Sequence, residues 1–256
     1  MRENEFIGDV IAAHGGRSRW QDISYIDVEF SAGGAAFASR QVEPKCLHHV
    51  TGRFGAHAPV ASVDAFGSRH LRGQFENGAV RLHQSDGGIL IDRPQARQRF
   101  GDIRRQMLWD EGDLFYFVSY AMWNYLCFPF FLGANALQTA RVAPWQASGW
   151  QMEAEFSGDF PTHSRRQWFY FNSSLQLVRH AYCADVIGPY ARAVHHCTEY
   201  LCTDGIWLGR RRQVLPRLWG AASLSFPTLV WIEIANVSYG AAESAAPAIT
   251  EAVPCR

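Results

Sequence analysis

Three polar residues recur at helical spacing inside a long apolar segment of the chain. Tyr116, Tyr120 and Asn124 stand at positions i, i+4 and i+8, so a helix here places them on one face. Such groups can orient a ligand, and together with a histidine or arginine they can transfer protons without a cofactor. Candidates to face this stripe come from the later part of the chain: His163, Arg179, His195 and His196. These seven are the candidate catalytic residues if the protein is an enzyme.

The aromatic content of 14% also favours a pocket wall, because tryptophan and tyrosine combine an apolar body with a polar edge. The predicted ligand-binding residues are aromatic side chains of the helix and strands: Trp109, Phe117, Trp123, Phe128, Trp168, Tyr170 and Tyr182. We expect at least two of the three stripe residues to border an internal cavity, with His195 or His196 opposite. Alternatively, these polar groups satisfy one another in a solid core or lie on a solvated face.

Adjacent histidines occur at His48–His49 and at His195–His196, and Cys197 follows the second pair. Neighbouring residues of a strand point to opposite faces, so neither pair is placed to bind one metal ion. Cys197 is interpreted as a buried structural thiol. No phosphate-binding, dinucleotide, zinc-protease or serine-hydrolase motif stands in a credible context. We therefore expect neither a metal nor a cofactor.

The segment from Leu114 to Gly133 carries no charge and is about long enough to cross a bilayer. Pro129 would stop or kink a helix near its end. A lipid-facing helix also has no reason to align Asn124 with two tyrosines. We therefore predict a buried helix over residues 112–128 in a protein that is soluble without detergent. Two acids are placed to cap this helix: Asp110 and Asp113.

Turn-separated strands flank the predicted helix on both sides. Alternating segments predict strands over 23–30, 59–66, 79–84, 88–92, 149–157, 166–171, 175–182, 191–201, 206–217 and 227–240. Consecutive hairpins join into one antiparallel sheet, and a sheet this large tends to curl. The predicted fold is α+β: a strongly curved antiparallel sheet, or half-barrel, wrapped around a long apolar helix, with a short N-terminal helix over 5–13.

Length and charge limit the classes of function. The 256 residues predict a single domain over 1–256, with an ordered core over about 5–239 and a flexible tail over 241–256. The formal net charge of zero gives no field that would attract nucleic acid. The first residues lack the apolar run of a signal peptide, and the six cysteines form no CxxC pair. We expect a cytoplasmic protein without integral membrane insertion, and the oligomeric state stays open.

Residues 9–30, DVIAAHGGRSRWQDISYIDVEF, resemble the opening of proteins with the LolA/LolB-like lipoprotein-carrier fold. There a first helix ends in Gly-Gly, an aromatic residue follows, and the first strand of a curved half-barrel begins. The hairpin FYFNSSLQLVRHAY is similar to a later unit of that fold. The resemblance, strongest over about 5–30 and 165–239, implies an unclosed half-barrel with helices over its mouth and a cavity for acyl chains. The absence of a signal peptide and a lipobox cysteine near the start argues against periplasmic lipoprotein transport.

Three classes of function follow from these features. The first is an intracellular protein that binds a hydrophobic small molecule or acyl chain in a half-barrel cavity. The second is a cofactor-independent cyclase, isomerase or dehydratase that acts on a hydrophobic metabolite with tyrosine, histidine, asparagine and arginine as acid–base groups. The third is a structural or interaction protein. A smooth apolar cavity favours the first class, ordered polar groups at its base favour the second, and a filled interior favours the third.

Overall fold

The computed structural model describes residues 2–133 and 136–241. The predicted flexible tail over 241–256 lies outside the described residues, apart from Ala241. The described chain combines one antiparallel sheet with few helices, which confirms the predicted α+β class. In this part of the chain every pair of neighbouring strands is antiparallel, and no helical crossover joins parallel strands.

The helices are short, with one exception. The α-helices are α1 (Glu3–Ala13), α2 (Arg17–Gln21), α3 (Ala35–Ala38) and α4 (Glu111–Cys127). Single 3₁₀ turns or pairs of turns cover Pro44–Leu47, Ala96–Gly101, Ile103–Gln106 and Phe130–Gly133. None of the described helices combines the length and the hydropathy that a bilayer crossing requires.

The strands before α4 are β1 (Tyr25–Gly33), β2 (Val50–Gly55), β3 (Val60–Phe66), β4 (Leu71–Glu76), β5 (Ala79–His83) and β6 (Ile89–Arg93). Those after it are β7 (Leu137–Trp145), β8 (Gly149–Phe156), β9 (Arg166–Phe171), β10 (Leu177–Cys183), β11 (Arg192–Thr203), β12 (Ile206–Pro216) and β13 (Val230–Gly240). All of them belong to one sheet.

Two meanders build this sheet, in the order β6-β5-β4-β3-β2-β1-β13-β12-β11-β10-β9-β8-β7. They join where β1 pairs antiparallel with β13, from Tyr25 opposite Gly240 to Gly33 opposite Trp231. Within the described residues the edge strands β6 and β7 are not paired with each other, so the sheet stays open. The chain crosses from one edge to the other through the connection that contains α4.

α4 begins at a reciprocal cap. The Asp110 carboxylate accepts a hydrogen bond from the Asp113 amide at 3.0 Å, and the Asp113 carboxylate accepts one from the Asp110 amide at 3.3 Å. Arg93 of β6 donates to both carboxylates, at 2.8 Å and 2.9 Å. The predicted capping role of the two acids is confirmed, and the cap also ties the helix to an edge strand.

Both halves of the sheet cover α4. Every residue from Gly112 to Cys127 is buried. Phe115 packs against Phe66 of β3 with ring centroids 4.9 Å apart, and Tyr125 packs edge-on against His195 of β11 at 4.7 Å. A helix that is apolar on most sides is stable in water only when such contacts surround it.

α3 is a single turn docked on the segment before β13. The amides of Ala35 and Ala36 donate to the carbonyls of Thr228 and Leu229, at 3.0 Å and 2.9 Å. Gly34 precedes this turn with φ +130°, and a Cβ at this position would lie 2.5 Å from the Leu229 carbonyl oxygen. Glycine is therefore required where the chain leaves β1 and turns into α3.

Candidate functional site

Four buried aromatic side chains, called the His163 cluster here, join α4 to the later strands: Tyr120, Tyr125, His163 and Tyr182. The Tyr120 hydroxyl lies 3.1 Å from Nδ1 of His163, and the Tyr125 hydroxyl lies 2.7 Å from Nε2. The Tyr182 ring stacks on the imidazole with centroids 4.0 Å apart. Both nitrogens and one face of His163 are therefore occupied by protein groups.

The His163 cluster is neutral near pH 7. Burial, together with the nearby Arg97 guanidinium, lowers the pKa of His163 to about 3. A neutral imidazole has one N–H donor and one acceptor nitrogen, so one tyrosine hydroxyl accepts a hydrogen bond from it and the other donates. Burial also raises the pKa of Tyr120, Tyr125 and Tyr182 above the usual value for tyrosine. The cluster is a closed set of hydrogen bonds between uncharged groups.

The polar stripe on α4 finds protein partners along its whole length. The Tyr116 hydroxyl accepts from Nη1 of Arg97 at 3.5 Å, a long contact. The Asn124 amide donates to the carbonyls of Tyr120 and Pro161, at 2.7 Å and 2.5 Å. The structure therefore brings Tyr116, Tyr120 and Asn124 onto one buried face, and their hydrogen bonds do not require a ligand.

Two further histidines lie beside the His163 cluster on the inner face of β10 and β11. Nε2 of His180 lies 2.6 Å from the amide oxygen of Gln167, to which it donates. Neither ring nitrogen of His195 has a hydrogen-bond partner among the described residues. Burial lowers the pKa of both imidazoles well below the usual value, so both are neutral at physiological pH.

Four predicted site residues lie on the outer face of the sheet, away from α4. Arg179 of β10 pairs with His196 of β11, and both side chains lie on this outer face. Their neighbours in the strands, His180 and His195, lie on the inner face. Arg179 donates to the Ala221 carbonyl there, and His196 lies 3.0 Å from the Ser223 hydroxyl. Trp168 and Tyr170 belong to a separate apolar group on the same outer face. Strand alternation therefore keeps these four side chains out of the His163 cluster.

An open cavity of about 540 Å³, called the α3 cleft here, lies between α3, α4 and strands β11–β13. Its walls are mainly apolar and include Ala36, Phe117, Ala193, Val214, Leu229 and Val230. The polar or charged side chains of the lining are Ser39, Arg40, Tyr182, Tyr190 and Arg192. Met107 and Tyr190 are 71% and 62% exposed, so they mark the mouth of the cleft. No aspartate or glutamate is among the described residues that line it.

Tyr182 connects the α3 cleft with the His163 cluster. One side of its ring stacks on His163, and the side chain also lines the cleft. A smaller apolar pocket of about 20 Å³ shares Phe117 and Tyr182 with the cleft and reaches Tyr125. The Tyr182 ring would therefore lie between a molecule in the cleft and the buried imidazole of His163.

The α3 cleft is bordered by the face of α4 next to the polar stripe. Phe117 lines it, whereas Tyr116, Tyr120 and Asn124 do not. His195 is also absent from its lining. The cavity expected beside at least two stripe residues is thus not the α3 cleft, because the stripe turns toward Arg97 and the loop before β9.

Of the predicted ligand-binding aromatic residues, Phe117 and Tyr182 line the cleft. Trp109 packs behind Phe117, with ring centroids 5.1 Å apart. The indole of Trp123 donates to a backbone carbonyl of β2, and Phe128 stacks against a ring of β9. Trp109, Trp123 and Phe128 thus anchor α4 against the sheet instead of lining the cleft.

Sequence reasoning missed Arg40 and the alanines of α3. A helix of four residues has no periodicity to detect, and Arg40 follows it as an isolated basic residue. The available signal was the glycine pair Gly33–Gly34, which is typical of a turn. Only the structure shows that this turn carries α3 back over the inner face of β13.

Metal-ligating side chains do not gather in the described part of the chain: no group of three or more histidine, cysteine, aspartate or glutamate residues is arranged around one point. Burial raises the pKa of the Cys197 thiol, which makes it a poor nucleophile at neutral pH. The titratable side chains that line the α3 cleft are Arg40, Tyr182, Tyr190 and Arg192.

No protein-family profile and no curated protein matches the chain. Nine solved chains match it by structure. A LolA superfamily protein from Nitrosomonas europaea has a TM-score of 0.47 and 8% sequence identity, with 91% of each chain covered. A DUF1329 family protein from Desulfovibrio piger has a TM-score of 0.42 and 8% identity, with 94% of each chain covered. The first of these two proteins carries the family name of the resemblance stated from the sequence.

Proposed function

We propose that this protein binds a hydrophobic small molecule or a single acyl chain in the α3 cleft. The observation that carries the proposal is an open cavity of about 540 Å³ with mainly apolar walls. Cavities of about 300–1,000 Å³ with apolar walls and few polar groups are typical small-molecule sites. The polar side chains of the lining are few enough to orient one end of a ligand without solvating all of it.

The scaffold supports the same proposal. Residues from both halves of the open sheet cover α4, and this helix is buried from Gly112 to Cys127. Space for a ligand then remains in the cavity between α3, α4 and strands β11–β13. Each methylene that a ligand buries there contributes about 0.8 kcal/mol, so an alkyl chain can be held by its length alone.

An acid–base enzyme without a cofactor is the second candidate, and Tyr182 is the observation in its favour. Its side chain borders the cleft and stacks on His163. Against it, the raised pKa of Tyr182 and the lowered pKa of His163 keep both groups neutral. Both nitrogens of His163 are already bonded to Tyr120 and Tyr125. Proton transfer would first break one of these bonds, which favours binding over catalysis.

We also propose that the protein works inside the cell. The described cysteines are all unpaired, as is usual in a reducing compartment: Cys46, Cys127, Cys183, Cys197 and Cys202. The proposed partner is the hydrophobic small molecule or lipid itself. Fractionation of expressing cells checks this, and recovery in an oxidising compartment would contradict it.

Cleft-filling variants test the proposed function. Titration with dodecanol, followed by native mass spectrometry, measures binding of an uncharged chain. Ala35 lines the cleft and is exposed, so Ala35→Trp should fill the cavity while the backbone bonds of α3 remain. Ala38 is exposed on the same turn but does not line the cleft, which makes Ala38→Trp the matched control. We expect Ala35→Trp to weaken binding about tenfold or more, because buried alkyl area is lost.

Two outcomes would contradict the proposed function: no chain bound to the wild-type protein, or equal affinity of the two tryptophan variants. The same spectra report the mass of the released ligand. A change in that mass during incubation would support the enzyme, and an unchanged mass is expected for a binding protein.

A further inference from the structure

Arg40 is a buried cation in the wall of the α3 cleft. Its residue surface is 5% exposed, and it lies at the end of α3 among the lining residues. Nη1 donates to the Ala36 carbonyl at 2.8 Å and to the Ser39 hydroxyl at 3.0 Å. Nε is buried and has no hydrogen-bond partner among the described residues. One edge of the guanidinium, formed by Nε and Nη2, is therefore unused.

The two acids of the α4 cap, near Trp109, pair with another arginine. The guanidinium of Arg40 lies over the ring of Trp109, 5.1 Å from its centroid. The next residue, Asp110, pairs with Arg93, and so does Asp113. Within the part of the chain that the structure describes, Arg40 has no salt bridge. A buried guanidinium without a counter-charge carries a desolvation cost that an anion would offset.

The charged side chains of the cleft also favour an anionic ligand. Arg192 is a second cation of the lining and is exposed. No described aspartate or glutamate lines the cleft, so nothing in its wall opposes a negative ligand group. Arginine donates two parallel hydrogen bonds to a carboxylate or phosphate, and this geometry needs a free edge of the guanidinium.

We propose that Arg40 binds the anionic oxygen head group of an amphiphile whose alkyl chain occupies the α3 cleft. The inference rests on the proposed function and adds the class of ligand: a carboxylate or phosphate on a hydrocarbon chain. The head group lies against the free Nε–Nη2 edge of Arg40. The chain runs along Phe117, Tyr182 and Val214 toward the smaller pocket of about 20 Å³, which shares all three residues.

Chains of equal length with different head groups test this inference on the wild-type protein. Dodecanoate, dodecyl phosphate and dodecanol are titrated at pH 7.5 by calorimetry below their aggregation limits. We expect the two anions to bind about tenfold or more tightly than the alcohol, because charge-assisted hydrogen bonds to a buried guanidinium are strong. Acetate and inorganic phosphate, tested as competitors, should displace dodecanoate only weakly.

Variants then assign the effect to one side chain. Arg40→Met should abolish the preference for the anions while the affinity for dodecanol changes less than threefold. Arg40→Lys should keep part of the preference, since the charge remains without the bidentate edge. Arg72→Met is the matched control, because Arg72 is exposed and pairs with Asp64 outside the cleft. It should bind all three chains like the wild type.

The outcomes separate this inference from the proposed function. Equal affinity of the wild-type protein for dodecanoate and dodecanol would overturn the role of Arg40 and leave chain binding intact. Equal losses of acid and alcohol binding in Arg40→Met, or competition by phosphate as strong as by dodecyl phosphate, would overturn it too. Binding of no chain at all would overturn both.

Discussion

At the residue scale, His163 lies between two hydroxyl groups of α4 and the Tyr182 ring that borders the cleft. Its pKa is lowered to about 3 because burial disfavours the charged imidazolium and because the nearby Arg97 guanidinium repels it. The same neutral state is imposed by burial on His180 and His195.

The buried histidines predict that acid destabilises the protein. Between pH 6.5 and about 3 the unfolded chain binds protons that folded His163 refuses, so the free energy of unfolding falls as the pH is lowered through this window. Each histidine of this kind contributes at most about 1.4 kcal/mol per pH unit. Urea unfolding at pH 7.0, 5.5 and 4.5 measures the slope.

Single variants control this pH experiment. His163→Gln should flatten the slope by about one proton, although the variant is less stable at pH 7 because the tyrosine hydroxyls lose a partner. His57 is exposed, and His57→Gln should leave the slope unchanged. A free energy of unfolding that is constant from pH 7.0 to 4.5 would show that the imidazoles are not held neutral.

The spacing of Tyr116, Tyr120 and Asn124 was enough to predict a shared face of a helix. It was not enough to predict which strand residues meet that face. Alternation fails as a guide across irregular pairing, and the register shifts between Leu177 and Arg179. For this reason Arg179 stayed among the candidates although its side chain points outward. The catalytic and ligand-binding roles assigned from the sequence remain predictions.

At the element scale, the cap of α4 does two things. It satisfies amides of the first helical turn, and it pairs two carboxylates with Arg93 of the edge strand β6. Asp113 is buried, so its charge depends on these partners. Because α4 forms the inner wall of the α3 cleft through Phe117, the cap also sets the position of that wall.

Asp113→Ala is predicted to lower the free energy of unfolding by about 2–4 kcal/mol, since it removes a cap bond and leaves the half-buried Arg93 with one carboxylate fewer. Urea unfolding at pH 7 measures the loss. Asp64→Ala removes an exposed partner of Arg72 and should have almost no effect. A loss as small for Asp113 as for Asp64 would mean that the cap does not stabilise the protein.

Strong local signals made several elements predictable. The hairpin of β9 and β10 is marked by its turn at Asn172, and the helix signal over 112–128 corresponds to α4 at Glu111–Cys127. Strands β2 and β4 were missed, because each contains a glycine where the sheet approaches another group closely. At Gly73, for example, a Cβ would lie 2.3 Å from the Phe115 ring. The exposed edge strand β7 gave too little apolar alternation to be recognised.

At the scale of the whole molecule, antiparallel pairing could be predicted from consecutive hairpins, but the joining of the two meanders could not. β1 and β13 are separated by nearly the whole described chain, and no local pattern specifies their pairing. That pairing places α3, which follows β1, against the start of β13. The α3 cleft is thus a product of long-range topology, which explains why the sequence indicated a cavity but not its position between α3 and the sheet.

Photolabelling with a dodecanol analogue that carries a diazirine at the end of its chain tests the proposed ligand site most directly. Mass spectrometry of the digested protein should find the label in peptides that contain residues 35–40, 191–193 or 214–216, which border the α3 cleft. Labelling should drop in Ala35→Trp and persist in Ala38→Trp. Label confined to the grooves on the solvent side of β1–β4, or spread evenly over the surface, would contradict the account that this protein holds a hydrophobic ligand between α3 and the sheet.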